Sequence, residues 1–199
     1  MAQTVTALFD RYEDASLAVR NLENSGVPAS DISMVANNAE NVHRIDEPSN
    51  APGDAGVGAG IGAVAGGGAG LLAGLGMMAI PGVGPVVAAG WLVATAAGAV
   101  LGAAAGGAAG GIVGALTSSG VPENQAHIYA EGVRRGGTLV TARVSDDRVV
   151  ATNRILDSSR RVNVDARGDA YRKGGWSRFD PDAPIYSDEQ VRRERELYL

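Results

Sequence analysis

The sequence predicts an α+β fold, in which a small antiparallel sheet domain is split by a long helical hairpin rich in glycine and alanine. Strand–helix–strand patterns occupy both ends of the chain, at 1–40 and 119–167, and the two resemble each other. Between Asp54 and Glu123 there is no charged residue, although charged residues are 20% of the whole chain. Two halves sharing four antiparallel strands, with two helices on one face, would form a ferredoxin-like sandwich.

The first half of this domain is predicted within residues 1–40. Residues 4–9 alternate between apolar and polar side chains, which indicates a half-buried strand. An Asp10-x-x-Glu pattern resembles a capping box, and an apolar stripe at helical spacing follows it. Gly26 has the position of a glycine that ends this helix, and residues 32–36 form a second short strand.

The second half is predicted within residues 119–167. Pro122 opens a helix, residues 138–144 form a strand, and another helix follows from about Val149. The sequence RVNVDA, at 161–166, is predicted as a short last strand. Short strand–helix–strand units also resemble each other by pattern alone, so the repeat leaves that alternative open.

A linker at 41–54 leads into the uncharged block, at 55–118, which divides at PGVGP, residues 81–85. Two prolines around Gly-Val-Gly cannot continue a helix, so the chain reverses there. At about 1.5 Å per residue the two arms would make helices of roughly 37 and 46 Å. Each exceeds the roughly 30 Å of a bilayer's hydrocarbon core, so the block is predicted as a membrane hairpin.

Glycine recurs at every fourth position of both arms. In soluble helices each glycine costs about 1 kcal/mol relative to alanine, whereas small residues let membrane helices pack closely. The residues predicted to form this helix-packing glycine zipper are Gly58, Gly62, Gly66, Gly70, Gly74, Gly98, Gly102, Gly106, Gly110 and Gly114. Two alternatives remain: a flexible linker, and a soluble oligomer that hides these hairpins in its own core.

Two further segments carry predictions about contacts. The basic pair Arg134 and Arg135 is a candidate for contact with lipid headgroups on the cytoplasmic side. The polar tail, 168–199, is expected to drape over a partner subunit or to be disordered. Within it, Ser187-x-x-Gln190 is predicted to cap a short C-terminal helix.

Composition argues against several classes of function. A net charge of −5 without a basic stripe gives no reason to expect nucleic-acid binding. The chain has no cysteine, and its two histidines, His43 and His127, lack the spacing of metal ligands. No polar constellation points to catalysis, so we expect no cofactor and no enzyme activity. The start of the chain has no apolar leader segment, which predicts that it stays in the cytoplasm.

Several motifs together resemble bacterial general stress proteins of the YflT type. They are the strand–helix–strand opening, the GVP turns at 26–28 and 120–122, and the sequence YAEGVRRGGTLVTARV at 129–144. The resemblance covers about residues 4–38 and 120–165. It implies a bacterial stress-associated protein, often with a glycine- and alanine-rich segment interrupting the small domain, and it implies no catalytic residues.

The leading hypothesis is therefore a non-enzymatic, stress-associated structural protein. It would be anchored in the bacterial inner membrane with both termini cytoplasmic, contact membrane lipid, and form a homo-oligomer through its glycine zipper. The alternative is a soluble cytoplasmic module of ferredoxin-like fold that senses a small ligand and multimerises through the hairpin.

Overall fold

A computed structural model describes residues 2–38, 76–93, 95 and 111–198 of the chain. Its strands are β1 Ala2–Phe9, β2 Ile32–Asn37, β3 Gly76–Ile80, β4 Gly84–Gly90 and β5 Thr138–Ser145. Its helices are α1 Tyr12–Asn24, α2 Ile112–Ser118, α3 Glu123–Arg134, α4 Val149–Ser158, α5 Val164–Lys173 and α6 Asp188–Glu196. The predicted 41–54 linker and most of the predicted zipper lie outside the described residues.

The five strands form one antiparallel sheet in the order β1-β5-β2-β4-β3. The central strand, β5, pairs with β1 along one side and with β2 along the other. The first and last thirds of the chain therefore contribute interleaved strands to one sheet. The predicted α+β class with an antiparallel sheet is confirmed.

Helices cover both faces of this sheet. On one face, Phe9 and Val140 lie in a buried cluster with residues of α1 and α4. On the other, Leu8 and Leu139 pack against α2 and α3. The two helices predicted to share one face, α1 and α4, do so. The four-stranded ferredoxin-like sandwich is not confirmed, because a strand pair from the apolar block widens the sheet and the second face carries its own helices.

The start of α1 differs from the prediction, whereas its end agrees with it. Arg11 is the N-cap residue, and no side chain among the described residues caps the helix. The Asp10 carboxylate accepts hydrogen bonds from Arg167 at 2.7 and 2.9 Å instead, so it serves a long-range contact. Gly26 follows the helix with φ +87°, the left-handed conformation that favours glycine at a helix end.

The reversal predicted at 81–85 is present, but it joins strands rather than helices. β3 pairs with β4, and β4 pairs with β2, so the first arm ends within the sheet and the second arm begins within it. The prediction of helix up to Ile80 and from Val86 is therefore wrong. A short apolar run fits a buried strand as well as a helix, and pairing with β2 decides between them. Among the described helices, none has the length and apolar character needed to cross a bilayer.

The predicted last strand at 161–166 is also wrong. The Val162 N–H donates one hydrogen bond of 2.7 Å to the Leu8 carbonyl, and the chain then enters α5. Asn163 caps that helix by accepting a hydrogen bond from the Ala166 N–H at 3.0 Å. This Asn cap, a favoured N-terminal signal, ends the extended segment after a single contact with β1.

The tail folds back on its own chain. Ser187 and Gln190 form the predicted capping box at the start of α6, with bonds of 2.9 and 3.4 Å. Val191 of α6 is buried, and so is Phe179, which joins the cluster under α2 and α3. Through these apolar anchors the described tail packs against the domain rather than extending away from it.

Gly90, the last residue of β4, lies very close to the backbone of the neighbouring strand β2, and this close approach yields a test of the fold. Gly90 has φ +95°, and a side-chain carbon there would overlap the Ile32 carbonyl oxygen. Gly120 has a similar φ, +94°, but a carbon there would meet no heavy atom within 4 Å. Both alanine variants incur backbone strain of about 1–2 kcal/mol, and only Gly90→Ala adds overpacking of about 1–3 kcal/mol.

We predict that Gly90→Ala lowers the free energy of unfolding in urea clearly more than Gly120→Ala does. Equal losses for the two variants would contradict the close approach of β4 to β2.

Candidate functional site

The outer edge of β1 is the first component of the site. β1 pairs with β5 in one unbroken register, from Ala2 opposite Ser145 to Phe9 opposite Thr138. Backbone groups of successive residues in such a strand point to alternate sides. The carbonyl of Thr6 accepts from the Tyr129 hydroxyl at 3.3 Å, and that of Leu8 accepts from Val162. The even-numbered residues of β1 therefore direct their backbone groups outward.

A cleft of about 480 Å³ lies beside this edge. Its floor is β1 at residues 3–6, and its walls are residues 120–125, one face of α4 and the segment 161–165. We call it the β1 cleft. Its polar lining side chains are Gln3, Thr4, Thr6, Gln125, Tyr129, Asn153, Asp157, Arg161, Asn163 and Asp165.

The charged groups of the β1 cleft are arranged around Arg161. Its Nε lies 2.6 Å from Asp157 Oδ1, and its Nη1 donates to Asn153 Oδ1 at 2.7 Å. Asp165 adds a second carboxylate to the lining. One guanidinium and two carboxylates leave the cleft mildly negative, and the guanidinium is held in place by Asp157 and Asn153 of α4.

Thr6 presents a hydroxyl that has no internal partner. Its Oγ1 atom is buried and forms no hydrogen bond with any other described residue. Buried hydroxyl groups nearly always have a partner, and leaving one unpaired costs about 1–3 kcal/mol. Thr6 itself lines the cleft, so a rotation of its side chain would present this hydroxyl to a group that enters there.

Tyr129 lies beside Thr6 in the lining of the cleft and remains protonated at neutral pH. Burial raises the pKa of its hydroxyl to about 12, while the charge of Arg161 lowers it and that of Asp165 raises it. A neutral phenol donates a hydrogen bond, as it does to the Thr6 carbonyl, and does not accept a proton. The site is therefore equipped with donors and acceptors for binding. Among the described residues no group of His, Asp or Glu is placed to hold a metal ion.

The predicted helix-packing glycines are almost entirely outside the described residues. Gly114 is the exception, and it lies half-buried within α2. The other nine positions, from Gly58 to Gly110, receive no structural description, so the glycine zipper stays a prediction.

Arg134 and Arg135 belong to a charge cluster between α3 and α6. Both bind Glu131, whose side chain is fully buried, at 3.3 and 2.7 Å. Arg135 also binds Glu194 of α6 at 3.0 Å, and both guanidinium groups lie near the ring of Tyr186. Only 12% and 17% of the two arginine side chains are exposed.

This environment keeps Arg135 charged. Burial lowers the pKa of its guanidinium, but the hydrogen bond and charge of Glu131, aided by Glu194, outweigh burial and raise that pKa above its usual range. Both arginines are thus engaged by this chain's own groups, and they fasten the tail to α3. Their contact with lipid headgroups stays a prediction.

Comparison with known families bears on the opening of the chain. Residues 4–83 match the family model described as the heat induced stress protein YflT domain. The opening part of this chain is similar to the YflT domain. No curated protein and no solved structure matches the chain.

The match confirms the predicted YflT resemblance over β1, α1 and β2, and it extends to the β3–β4 turn at residue 83. It supports a stress-associated role. Strand β5, which completes the centre of the sheet, comes after the matched segment. The predicted resemblance at 120–165 lies beyond the match.

Sequence reasoning did not find the β1 cleft. Alternation along β1 placed Thr4 and Thr6 opposite the apolar face, but no pattern showed that β1 lies at the edge of the sheet. The stretch YAEGVRRGGTLVTARV, which begins at Tyr129, carried the family resemblance and gave no sign that this tyrosine borders a cleft. Its hydroxyl lies 3.3 Å from the Thr6 carbonyl.

The cluster around Glu131 provides a test of how the tail is held. Removing one partner of a buried ion pair typically costs about 3–5 kcal/mol, and Glu131→Gln keeps the shape while removing the charge. An exposed pair with the same i,i+4 spacing, Glu189 and Arg193, contributes only about 0.3–0.5 kcal/mol.

We predict that Glu131→Gln lowers the free energy of unfolding in urea by about 3 kcal/mol, whereas Glu189→Gln changes it by less than about 0.5 kcal/mol. Proteolysis of the tail should be faster in Glu131→Gln alone. Two variants of equal stability would show that the buried carboxylate does not hold α6.

Proposed function

We propose that this chain is a non-enzymatic, stress-associated binding protein, and that the β1 cleft is its ligand site. The observation that carries the proposal is a polar cleft of about 480 Å³ beside the edge of β1, lined by Thr6, whose hydroxyl has no partner among the described residues. The match to the heat induced stress protein YflT domain supports the stress-associated part of the role.

The groups of the cleft favour binding over catalysis. The raised pKa of Tyr129, about 12, removes its hydroxyl from the range in which it would accept a proton at neutral pH. The Arg161 guanidinium is held by Asp157 and Asn153. These side chains are suited to orienting a ligand rather than to activating a reacting atom.

The lining also indicates what kind of ligand fits. The amide side chains of Gln125, Asn153 and Asn163 and the hydroxyls of Thr4 and Thr6 offer both donors and acceptors. With two carboxylates against one guanidinium, an anionic ligand is disfavoured. The ligand is therefore a polar molecule, uncharged or cationic, that carries hydrogen-bonding groups of its own.

Thr6→Val separates a binding role from a structural one, because valine keeps the shape of threonine and removes the hydroxyl. We predict that this variant is as stable as the native chain or more stable, since an unpaired buried hydroxyl is lost. Ligand binding should weaken about tenfold, the equivalent of one hydrogen bond of about 1.4 kcal/mol.

The measurement is NMR titration with sugars, nucleosides, amino acids and capped dipeptides. Shift changes should cluster on Thr4, Thr6 and Tyr129, and should shrink in Thr6→Val. Changes confined to another surface, or none with any compound, would contradict the assignment of the cleft.

We also propose a second function, self-assembly through the glycine-rich runs, with a bilayer as the favoured site. The supporting observations are the glycines at every fourth position and the absence of charge from 55 to 122. Because the 81–85 turn belongs to the sheet, assembly would involve the runs on either side of β3 and β4 rather than a hairpin turning there.

Gly106→Leu and Val100→Leu test this second proposal, since both positions lie in the later run but only Gly106 is on the stripe. A leucine at a close helix contact overpacks it by about 1–3 kcal/mol. We predict that Gly106→Leu lowers the particle mass in mild detergent while Val100→Leu leaves it unaltered. The same masses with and without detergent would favour a soluble oligomer, and equal masses for the two variants would contradict the stripe.

A further inference from the structure

We propose that the ligand of the β1 cleft is an extended polypeptide segment, which adds to the outer edge of β1 as a further strand and hydrogen-bonds to Thr4 and Thr6. This inference rests on the proposed function, because it names the ligand class of the same site. It is carried by the backbone of β1, independently of the side-chain argument from the Thr6 hydroxyl.

The backbone of β1 offers a regular row of outward groups. The unbroken register with β5 means that no bulge interrupts the alternation. Since the carbonyls of Thr6 and Leu8 bond outward, Thr4 also directs its N–H and carbonyl away from β5. Within the described ranges no backbone partner bonds to these Thr4 groups. Residues two apart on a strand are separated by roughly 6.8 Å, the repeat that an added strand requires.

The chain itself already uses this edge at two points. The Tyr129 hydroxyl donates to the Thr6 carbonyl at 3.3 Å, a bond that leaves the second lone pair of that carbonyl for another donor. The Val162 N–H donates to the Leu8 carbonyl at 2.7 Å, so an extended residue of the cleft wall is seated against β1. The segment then leaves β1, because Asn163 caps α5 and the helix begins at Val164. The cleft opens where this pairing stops, and it continues along residues 3–6 of the same edge.

Polar walls favour a polypeptide over a small organic ligand. Pockets for small organic ligands are predominantly apolar, with a few polar groups that fix orientation. In strand addition the affinity comes from main-chain hydrogen bonds, and pockets for alternate side chains add specificity. The amide side chains of Gln125 and Asn153 suit the peptide groups of an entering segment. The two carboxylates favour uncharged or basic side chains in it.

A second folded copy of this chain fits the edge poorly. The edge of β1 lies at the floor of the cleft, between residues 120–125 and the segment 161–165. The β1 strand of another copy would be recessed between the same walls, so the two edges could not meet. A segment that is already extended and detached from its own fold has no such walls. An unfolded region of another protein therefore matches the site.

Substitution at Thr4 tests the backbone directly. Thr4→Pro removes an outward N–H without removing a bond to β5, a position at which edge strands tolerate proline. Thr4→Ala removes the same side chain and keeps the N–H, so it is the matched control. The probe is reduced, carbamidomethylated ribonuclease A, a permanently unfolded and basic polypeptide, labelled for fluorescence anisotropy.

We expect Thr4→Pro to bind this probe at least tenfold more weakly than Thr4→Ala, which already lacks the Thr4 hydroxyl, so that the comparison isolates the loss of the N–H. In the native chain the probe should slow hydrogen exchange at the Thr4 and Thr6 amides. The exchange measurement needs no variant, so it decides the matter if Thr4→Pro is poorly folded. Unchanged exchange at these amides, or full binding by a folded Thr4→Pro, would overturn the inference.

The outcomes also separate this inference from the proposed function. In one outcome, small polar compounds still change the NMR shifts of Thr6 and Tyr129 in Thr4→Pro, but the native chain does not bind the unfolded probe. That outcome would contradict strand addition and keep the cleft as a ligand site. No response of the cleft to either kind of probe would contradict both the strand addition and the proposed ligand site.

Discussion

Strand β5 holds the two ends of the chain in one sheet, because it lies between β1 and β2 and is hydrogen-bonded to both. β1 and β2 therefore do not touch, and the opening strand–helix–strand unit has a gap one strand wide. Both faces of β5 are buried, with Leu139 on one side and Val140 on the other. Neither end of the chain can bury its apolar surface without the other.

This interleaving also determines where the surfaces of the molecule lie. With β5 at the centre, β1 becomes an edge strand, and the segment after α4 reaches that edge only at Leu8. The β1 cleft is the space left open between the β1 edge and that segment. At the opposite end of the strand order, β4 pairs with β2. This pairing brings the β3–β4 turn against the tail, where Gly82 lies close to Pro181. The cluster around Glu131 then fixes α6 beside α3.

Local patterns in the sequence predicted β1, α1, β2, α3 and β5, because each has a regular apolar period and a recognisable end such as Gly26. The Ser187–Gln190 capping box was equally readable. β3 and β4 could not be predicted in this way, because an apolar run of five to seven residues becomes a strand only when it pairs with another strand, here β2. The cleft depends on the order of the strands in the sheet and on where Asn163 ends an extended segment. Both are set by tertiary contacts, and no short sequence pattern indicates them.

The interleaved sheet is tested most directly by dividing the chain between residues 103 and 104, so that β1 to β4 lie on one fragment and β5 on the other. Each fragment is examined alone, and then as an equimolar mixture, by thermal unfolding monitored with circular dichroism. We expect neither fragment to unfold cooperatively alone, and the mixture to form a one-to-one complex with a single cooperative transition. A cooperative transition in the first fragment alone would show that its sheet closes without β5, and would contradict the account.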